Sequence, residues 1–304
     1  PKPSSAASDV YKRQDYLPVT GDVTLIANGD NAILYNTVKV ADGGKLTLRG
    51  NANIFAVIAE PGSRLTAEEA TRIAYLTVNG GDVKLSGGQY DNITVKDGKI
   101  TDILGNGYAY KKTEGGAWLT LKEREMSEAS GVTVAKAPIV QATLSTEINK
   151  LYRNSNANPT LKFNLALAHG SNLNDSYVSK RYGINSYVSG DIIYSSLSAL
   201  VKDAKLSADE IIDKAGDSDA AEIYFVVTTG DGYEIKSNTV SIDLVDCDHS
   251  QVVDPTADKE TAGNITKPTY CEICESKFNA KITKGDDVKY YNDLDEAAKD
   301  AQKS

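Results

Sequence analysis

Hydrophobic and polar positions alternate along most of the chain, and the rhythm of the alternation changes twice. Between Thr37 and Tyr110 the apolar positions come in short pairs: Val38/Val40 with Leu46/Leu48, Leu76/Val78 with Val83/Leu85, and Ile93/Val95 with Ile100. Such period-2 runs predict strands with one buried face, here joined by turns at Gly43-Gly44, Pro61-Gly62 and Gly80-Gly81. Gly44, Gly62, Gly81 and Gly98 recur with gaps of 18, 19 and 17 residues. Self-similarity at that period predicts a β-solenoid, in which each unit buries its apolar face only against its neighbours. A ladder of β-hairpins has the same local pattern. Units of regular length, without alternating long and short connections, favour a parallel coil over residues 15–125. Thr66-Ala67-Glu68-Glu69 has capping-box spacing and competes as a helical turn, against the strand its neighbours favour.

From residue 126 to 246 the spacing changes. Leu161, Phe163, Leu165 and Leu167 alternate, as do Ile223, Phe225, Val227 and then Val240, Ile242, Leu244, with Gly230-Asp231-Gly232 between them as a hairpin turn. Short alternating strands parted by polar turns predict a β-sandwich. The stretch from Ser195 to Lys214 interrupts it, and the Ser207/Glu210 capping box ahead of Ile211-Ile212 predicts one short helix. At the end of the chain, Asp293/Glu296 and the stripe Leu294, Ala297, Ala298, Ala301 predict another.

Composition narrows the classes. Across 304 residues the formal net charge is −9, and no basic patch interleaved with aromatics exists, which argues against nucleic acid and anionic membrane surfaces. No apolar run approaches the roughly 20 residues needed to cross a bilayer. Tyr outnumbers Phe 17 to 4, a weak pointer to an exported protein with many half-exposed strands. Residues 1–14 (PKPSSAASDVYKRQ) have no periodicity and read as a non-native leader. Leu17-Pro18-Val19-Thr20-Gly21 matches the wall-sorting pattern L-P-x-T-G, but strands follow it where an apolar tail and basic end are required, so it reads as a coincidence.

All three cysteines fall in one window: Cys247, Cys271 and Cys274. Cys247-Asp248-His249 and Cys271-Glu272-Ile273-Cys274 make C-x-H then C-x-x-C, four ligands of the types that close a tetrahedral structural Zn²⁺ site. Cys247, His249, Cys271 and Cys274 are the candidate metal ligands, in a unit spanning residues 247–283. Metal would supply much of the folding free energy of so small a segment. A disulfide, which strands the third cysteine, and an empty, degenerate module are the alternatives.

The run ITDILGNGYAYKKTEGGAWLTL from Ile100 to Leu121, and GDVTLIANGDNAILYNTVKVADGGKLTLRG upstream, resemble segments of large repetitive, adhesin-like surface proteins of gut Firmicutes. The resemblance implies a right-handed parallel β-helix on the cell exterior. SNTVSIDLVD resembles the last strand of bacterial immunoglobulin-like modules. A Cys/His knuckle between such a module and the next coil recurs in that family. The helix in residues 284–304 resembles the one that opens a further solenoid there. The expected architecture is therefore mainly β: a short parallel β-helix, an immunoglobulin-like β-sandwich, a zinc-knuckle-like linker and the start of another solenoid, cut from a longer chain. The expected role is non-enzymatic and extracellular, with a glycan or protein of the host or of bacteria as partner, and the segment monomeric within its chain.

A carbohydrate-active β-helix enzyme, a polysaccharide lyase or glycoside hydrolase, or its carbohydrate-binding appendage, is the rival. It needs carboxylates stacked on adjacent coils, and the best stack is Asp42, Glu60 and Asn79, each two residues before its unit's aligned Gly. Those are also turn positions, where Asp and Asn are favoured for backbone reasons. His169 stands alone near a strand end, and Tyr108, Tyr110 and Trp118 read as an end cap for the coil, with sugar stacking as the alternative.

Overall fold

The structure is a computed structural model that describes residues 16–27, 33–68, 70–153, 158–170, 173, 178–253 and 269–303. The predicted leader 1–14 lies outside these. The first nine strands are β1 (Tyr16–Val19), β2 (Asp22–Ala27), β3 (Ile33–Val40), β4 (Lys45–Gly50), β5 (Asn53–Ala59), β6 (Arg64–Ala67), β7 (Arg72–Val78), β8 (Asp82–Leu85) and β9 (Gln89–Val95). Odd strands build one parallel sheet and even strands a second, so the chain alternates between two faces of a parallel β-solenoid of about four turns. The wall-sorting look-alike is part of the first coil, where Leu17 and Val19 pair with Val38 and Val40.

Like residues stack on like. Val38, Val57, Leu76 and Ile93 are register partners on one sheet, and Leu25, Leu48, Ala67 and Leu85 on the other. Ile54, Ile73 and Tyr90 form a third column, closed to water. Each fully buried aliphatic side chain contributes ~1.5–3 kcal/mol, and a coil can bury its own only while both neighbours are in place. Charges repeat the rule outside. Asp22–Lys45, Arg49–Glu68, Arg64–Asp82 and Arg72–Asp91 each join adjacent coils at 2.9–3.2 Å. Exposed pairs of this kind add little energy, and a one-residue slip would separate the partners.

The stacking corrects the alignment of the turns. Lys45, Arg64 and Asp82 are partners, so Ser63 lies between Gly44 and Gly81, and Gly62 lies beside Gly43. Gly43, Gly62 and Gly80 all have positive φ, at 72°, 75° and 112°, a region that L side chains rarely adopt. The left-handed glycine is what the turns share. The first two turns have the same length, and the glycine count took Gly44 where Gly43 is the partner of Gly62; the third turn is one residue shorter. Thr66 and Ala67 lie on β6, as their neighbours indicated.

The sequence placed a further strand after Gly98; a 3-10 helix, Ile100–Ile103, forms instead. It buries Ile100 and Ile103 over the end of the even sheet, and only Leu104 continues that sheet by a bridge to Leu85. The odd sheet ends differently. After β10 (Tyr108–Lys112) and the short helix α1 (Leu121–Arg124), strand β11 (Glu128–Lys136) inserts antiparallel between β9 and β10. Residues 128–136, expected in the sandwich, thus complete the solenoid sheet. β10 is therefore the outermost strand of the odd sheet at that end, and it runs in the direction of the coils.

The second unit comprises β12 (Ile139–Thr146), β13 (Lys150–Tyr152), β14 (Leu161–Leu167), β15 (Val178–Ile184), β16 (Tyr187–Val188), β17 (Ile192–Tyr194), helices α2 (Leu197–Lys202) and α3 (Ala208–Ala215), then β18 (Ala220–Thr228), β19 (Glu234–Lys236) and β20 (Val240–Val245). The main sheet runs β13-β20-β18-β15-β16, and β12 pairs only with β14. Phe163 and Phe225 meet edge to face at 5.2 Å within a core shared by both sheets. Asn238 joins them, accepting from Leu144 N–H at 2.8 Å and donating to its carbonyl at 2.9 Å. Two helices stand where one was expected. Ser196 caps α2 by accepting from Ala199 N–H, a signal lacking the Glu three residues on that marks a capping box. Ser207 caps α3 likewise, but the Glu210 side chain accepts from Tyr182 instead of returning to the cap.

The two units interlock. Trp118 Nε1 donates to Asp231 at 2.8 Å and its ring meets Tyr233 at 5.1 Å. Glu234 accepts from Leu121 N–H at 3.1 Å and Arg181 at 2.6 Å, while Arg124 lies over the Tyr233 ring and donates to the Glu234 carbonyl. Burial opposes ionisation of Glu234, but Arg181, the Leu121 amide and Arg124 outweigh it and hold its carboxyl below the usual range.

Two predictions follow from these contacts. The Thr71 hydroxyl is buried with no hydrogen-bond partner, so Thr71→Val keeps the shape, removes the orphan group and raises stability by about 1 kcal/mol in urea unfolding. Glu234→Gln costs about 2 kcal/mol at pH 7. Because the folded carboxyl is the stronger acid, wild type has this stability above the unfolded pKa and loses it as pH falls through the lower, folded one. The difference between the two proteins therefore shrinks on acidification below about pH 4.

Candidate metal centre

Past β20 the chain forms a small three-stranded sheet, β21 (Val252–Val253), β22 (Thr269–Cys271) and β23 (Lys277–Phe278), then a hairpin of β24 (Ala280–Lys284) and β25 (Asp287–Tyr291), then helix α4 (Leu294–Lys303). The expected C-terminal helix is present, but it buries only Ala297 and leaves Leu294 exposed. The hairpin runs across the expected boundary at residue 283.

The ligand atoms of Cys247, His249, Cys271 and Cys274 all lie within 4.8 Å of one another. Cys247 leaves the end of the second unit, and Cys271 and Cys274 straddle a tight turn in which Glu275 N–H donates to the Cys271 carbonyl at 2.8 Å. Cys247 Sγ is 3.7 Å from Cys271 Sγ, and Cys274 Sγ is 3.4 Å from His249 Nδ1. A tetrahedral ion with metal–sulfur bonds near 2.3 Å and metal–nitrogen bonds near 2.0 Å spaces its ligands by about 3.8 Å and about 3.5 Å respectively. All three cysteines are free thiols, and 3.7 Å is far beyond a sulfur–sulfur bond, so the disulfide alternative fails.

Small contacts orient the ligands. His249 packs edge to face on Phe278 at 5.0 Å, and Phe278 meets Tyr290 at 5.3 Å. Tyr152 of β13 packs against the same cluster and seats it on the second unit. His249 and Glu275 have φ of 50° and 59°, left-handed conformations that cost a side chain energy and persist where the surroundings demand them. Burial pushes the Cys247 thiol up, to about 11. Burial also works against the Cys271 thiolate, but the amides of Cys274 and Ile273 and the His249 ring overcome it and bring that thiol down to about 6.

The other sequence candidates are elsewhere. Glu60 and Asn79 do stack, with Asn79 donating at 3.5 Å, but Asp42 is the partner position of Pro61, one residue out of the column. Glu60 pairs with Lys39 at 2.9 Å, and that hydrogen bond, outweighing burial, holds its carboxyl below the usual range. A general acid at neutral pH needs the opposite shift. Tyr110 is fully buried and donates to the Ile100 carbonyl at 3.0 Å, Tyr108 packs on the solenoid core, and Trp118 is covered by Tyr233 and Lys111. Tyr110 and Trp118 therefore offer no free face to a sugar, while Tyr108 is half-buried at the rim of a cleft with Arg72 and Gln89. His169 is exposed in the turn after β14.

A feature missed by the sequence reading is Lys180, buried on β15 beside a cleft of about 360 Å³. Its ammonium donates to the carbonyls of Asp203 and Leu200, at the end of α2. Burial lowers its pKa against the pull of Asp203. The neighbouring hydroxyls of Tyr182 and Tyr194 donate to Glu210 and Asp203, so the polar groups of the cleft satisfy one another. Lys180 is a distant C-cap for a helix too short to hold its own carbonyls.

In comparisons with known proteins, no family model, no curated protein and no solved structure matches the chain.

The cluster yields a direct test. The purified full chain is expected to contain close to one tightly held metal ion, Cys271→Ser to retain well under half, and all three cysteines to react with a thiol reagent once unfolded without reductant. Elemental analysis and intact mass spectrometry read the two outcomes.

Proposed function

We propose that this chain is a non-enzymatic structural and adhesive segment of a bacterial cell-surface protein, holding rigid β modules away from the cell to engage a glycan or protein. The observation that carries the reading is the interlock between the closed end of the solenoid and the second unit through Trp118, Asp231, Tyr233 and Glu234. It turns two modules into one stiff rod, as a spacer requires. The second unit is read as an immunoglobulin-like sandwich. The support is its topology: β12 pairs with β14 across from β15-β18-β20, and β13 runs parallel along the last strand.

The Cys/His cluster is read as a structural Zn²⁺ knuckle. Three sulfurs and one imidazole leave no open position for substrate, and borderline-soft Zn²⁺ suits that set. When bound, the ion would neutralise most of the thiolate charge and tie the chain entering from β20 to the Cys271–Cys274 turn. The ion-paired state of Glu60 and the displaced position of Asp42 support a non-catalytic solenoid.

Incubation with a panel of plant, host and bacterial polysaccharides is expected to release no reducing or unsaturated ends. Turnover that disappears in Glu60→Gln or Asp42→Asn would overturn the reading in favour of a carbohydrate-active enzyme.

A further inference from the structure

The outer face of the odd-numbered solenoid sheet has an aromatic side chain on each of four successive coils: Tyr16 on β1, Tyr35 on β3, Phe55 on β5 and Tyr75 on β7. They are 43%, 75%, 48% and 49% exposed, on strands whose other face is filled by the core columns. Their arrangement is specific. In β5 and β7 two consecutive residues face outward between buried ones: Phe55 and Ala56 between Ile54 and Val57, and Ala74 and Tyr75 between Ile73 and Leu76. Register sets Ala56 beside Tyr75, so each ring has an alanine next to it and the two rings meet edge to face at 5.3 Å. Tyr16 and Thr37 are partners, as are Thr37 and Ala56, which brings Tyr16 into the same row.

Nothing in the packing of the coil requires these rings. A short aliphatic or polar residue would serve a solvent-facing solenoid strand, and an exposed apolar strip on such a surface marks a binding face. At roughly half exposure the four rings offer on the order of 400 Å². A stable protein interface needs about 800 Å² from each partner. The row is also single-file, with neighbouring strands about 4.8 Å apart, a step comparable to the length of one pyranose unit. On its flanks Lys39 pairs with Glu60 at 2.9 Å, near Lys96, and Arg72 pairs with Asp91 at 3.2 Å. Asn36 and Asn92 lie exposed beside the row as hydrogen-bonding groups for hydroxyls.

We propose that Tyr16, Tyr35, Phe55 and Tyr75 form a stacking platform for a neutral polysaccharide lying across the coils, one sugar ring per strand. The apolar faces of the sugar rings pack on the exposed aromatic surface, in which Phe55 stands edge to face on Tyr75 and Lys39 lies over the Tyr16 ring, and their hydroxyls meet the asparagines and the ion-paired side chains. The net charge of −9 repels a uronic-acid or sulfated polymer. This inference rests on the adhesive reading above and assigns it a surface.

Affinity electrophoresis of the full chain through hydroxyethylcellulose, laminarin and galactomannan tests it. Retardation is expected in at least one gel, weakened about tenfold by Phe55→Ala or Tyr75→Ala and further by the pair, kept by Tyr75→Phe, and unchanged by Lys84→Ala on the other sheet. The exposed positions allow these variants to fold, which circular dichroism checks. Retardation indifferent to Phe55 and Tyr75 would overturn the platform while leaving glycan adhesion standing. No retardation by any of the three polymers, or a scattering mass showing a dimer that Phe55→Ala dissociates, would also overturn it. Release of sugar ends would sink the adhesive reading itself.

Discussion

A solenoid coil cannot bury its own apolar face, and each column of side chains is complete only when the next coil repeats it. Val38, Val57, Leu76 and Ile93 illustrate the constraint, since any one of them loses its covering surface if a neighbour shifts by a residue. Register is therefore the quantity the fold must protect. Outside the core the inter-coil ion pairs protect it by penalising the slipped state, although exposed pairs such as Arg64–Asp82 stabilise the native state little. The turns protect it through left-handed glycines, which allow the chain to reverse in the same place on each coil.

A stack of coils also has ends, and much of the remaining structure follows from closing one of them. The 3-10 helix covers the even sheet with Ile100 and Ile103. An antiparallel strand, Glu128–Lys136, enters the odd sheet between Gln89–Val95 and the edge strand Tyr108–Lys112. The same closure presents Trp118 and the helix Leu121–Arg124 to the second unit, so the cap doubles as the joint. Glu234 is central there because one carboxylate serves a backbone amide from one unit and a guanidinium from the other. At the far side, Tyr152 does the corresponding work for the Cys/His cluster, whose own apolar content is too small to fix its position.

Much of this was legible in the residues. Alternation and period predicted a parallel solenoid, and C-x-H with C-x-x-C singled out the four residues that converge. Those signals are local or periodic, and local geometry is what short-range sequence encodes. Other features were not legible. Glycine spacing put Gly62 in line with Gly44, because in the pair Gly43-Gly44 spacing does not say which glycine takes the left-handed position. Asp42 entered a carboxylate column by the same error. The aromatic row was invisible for a related reason: Tyr16, Tyr35, Phe55 and Tyr75 are ordinary strand residues until the coils are stacked.

The sequence by itself determined the repeating unit, its parallel stacking and the ligand chemistry of the Cys/His cluster, since each depends on residue type at short spacing. Tertiary structure decided how the coil ends, where the second unit attaches, that the three thiols stay unpaired, and which side chains share a face. Those outcomes depend on contacts between residues 19 to more than 100 positions apart, such as Arg72 with Asp91 and Trp118 with Asp231. No local propensity carries that information, and only the competition among columns, caps and charges in the packed molecule resolves it.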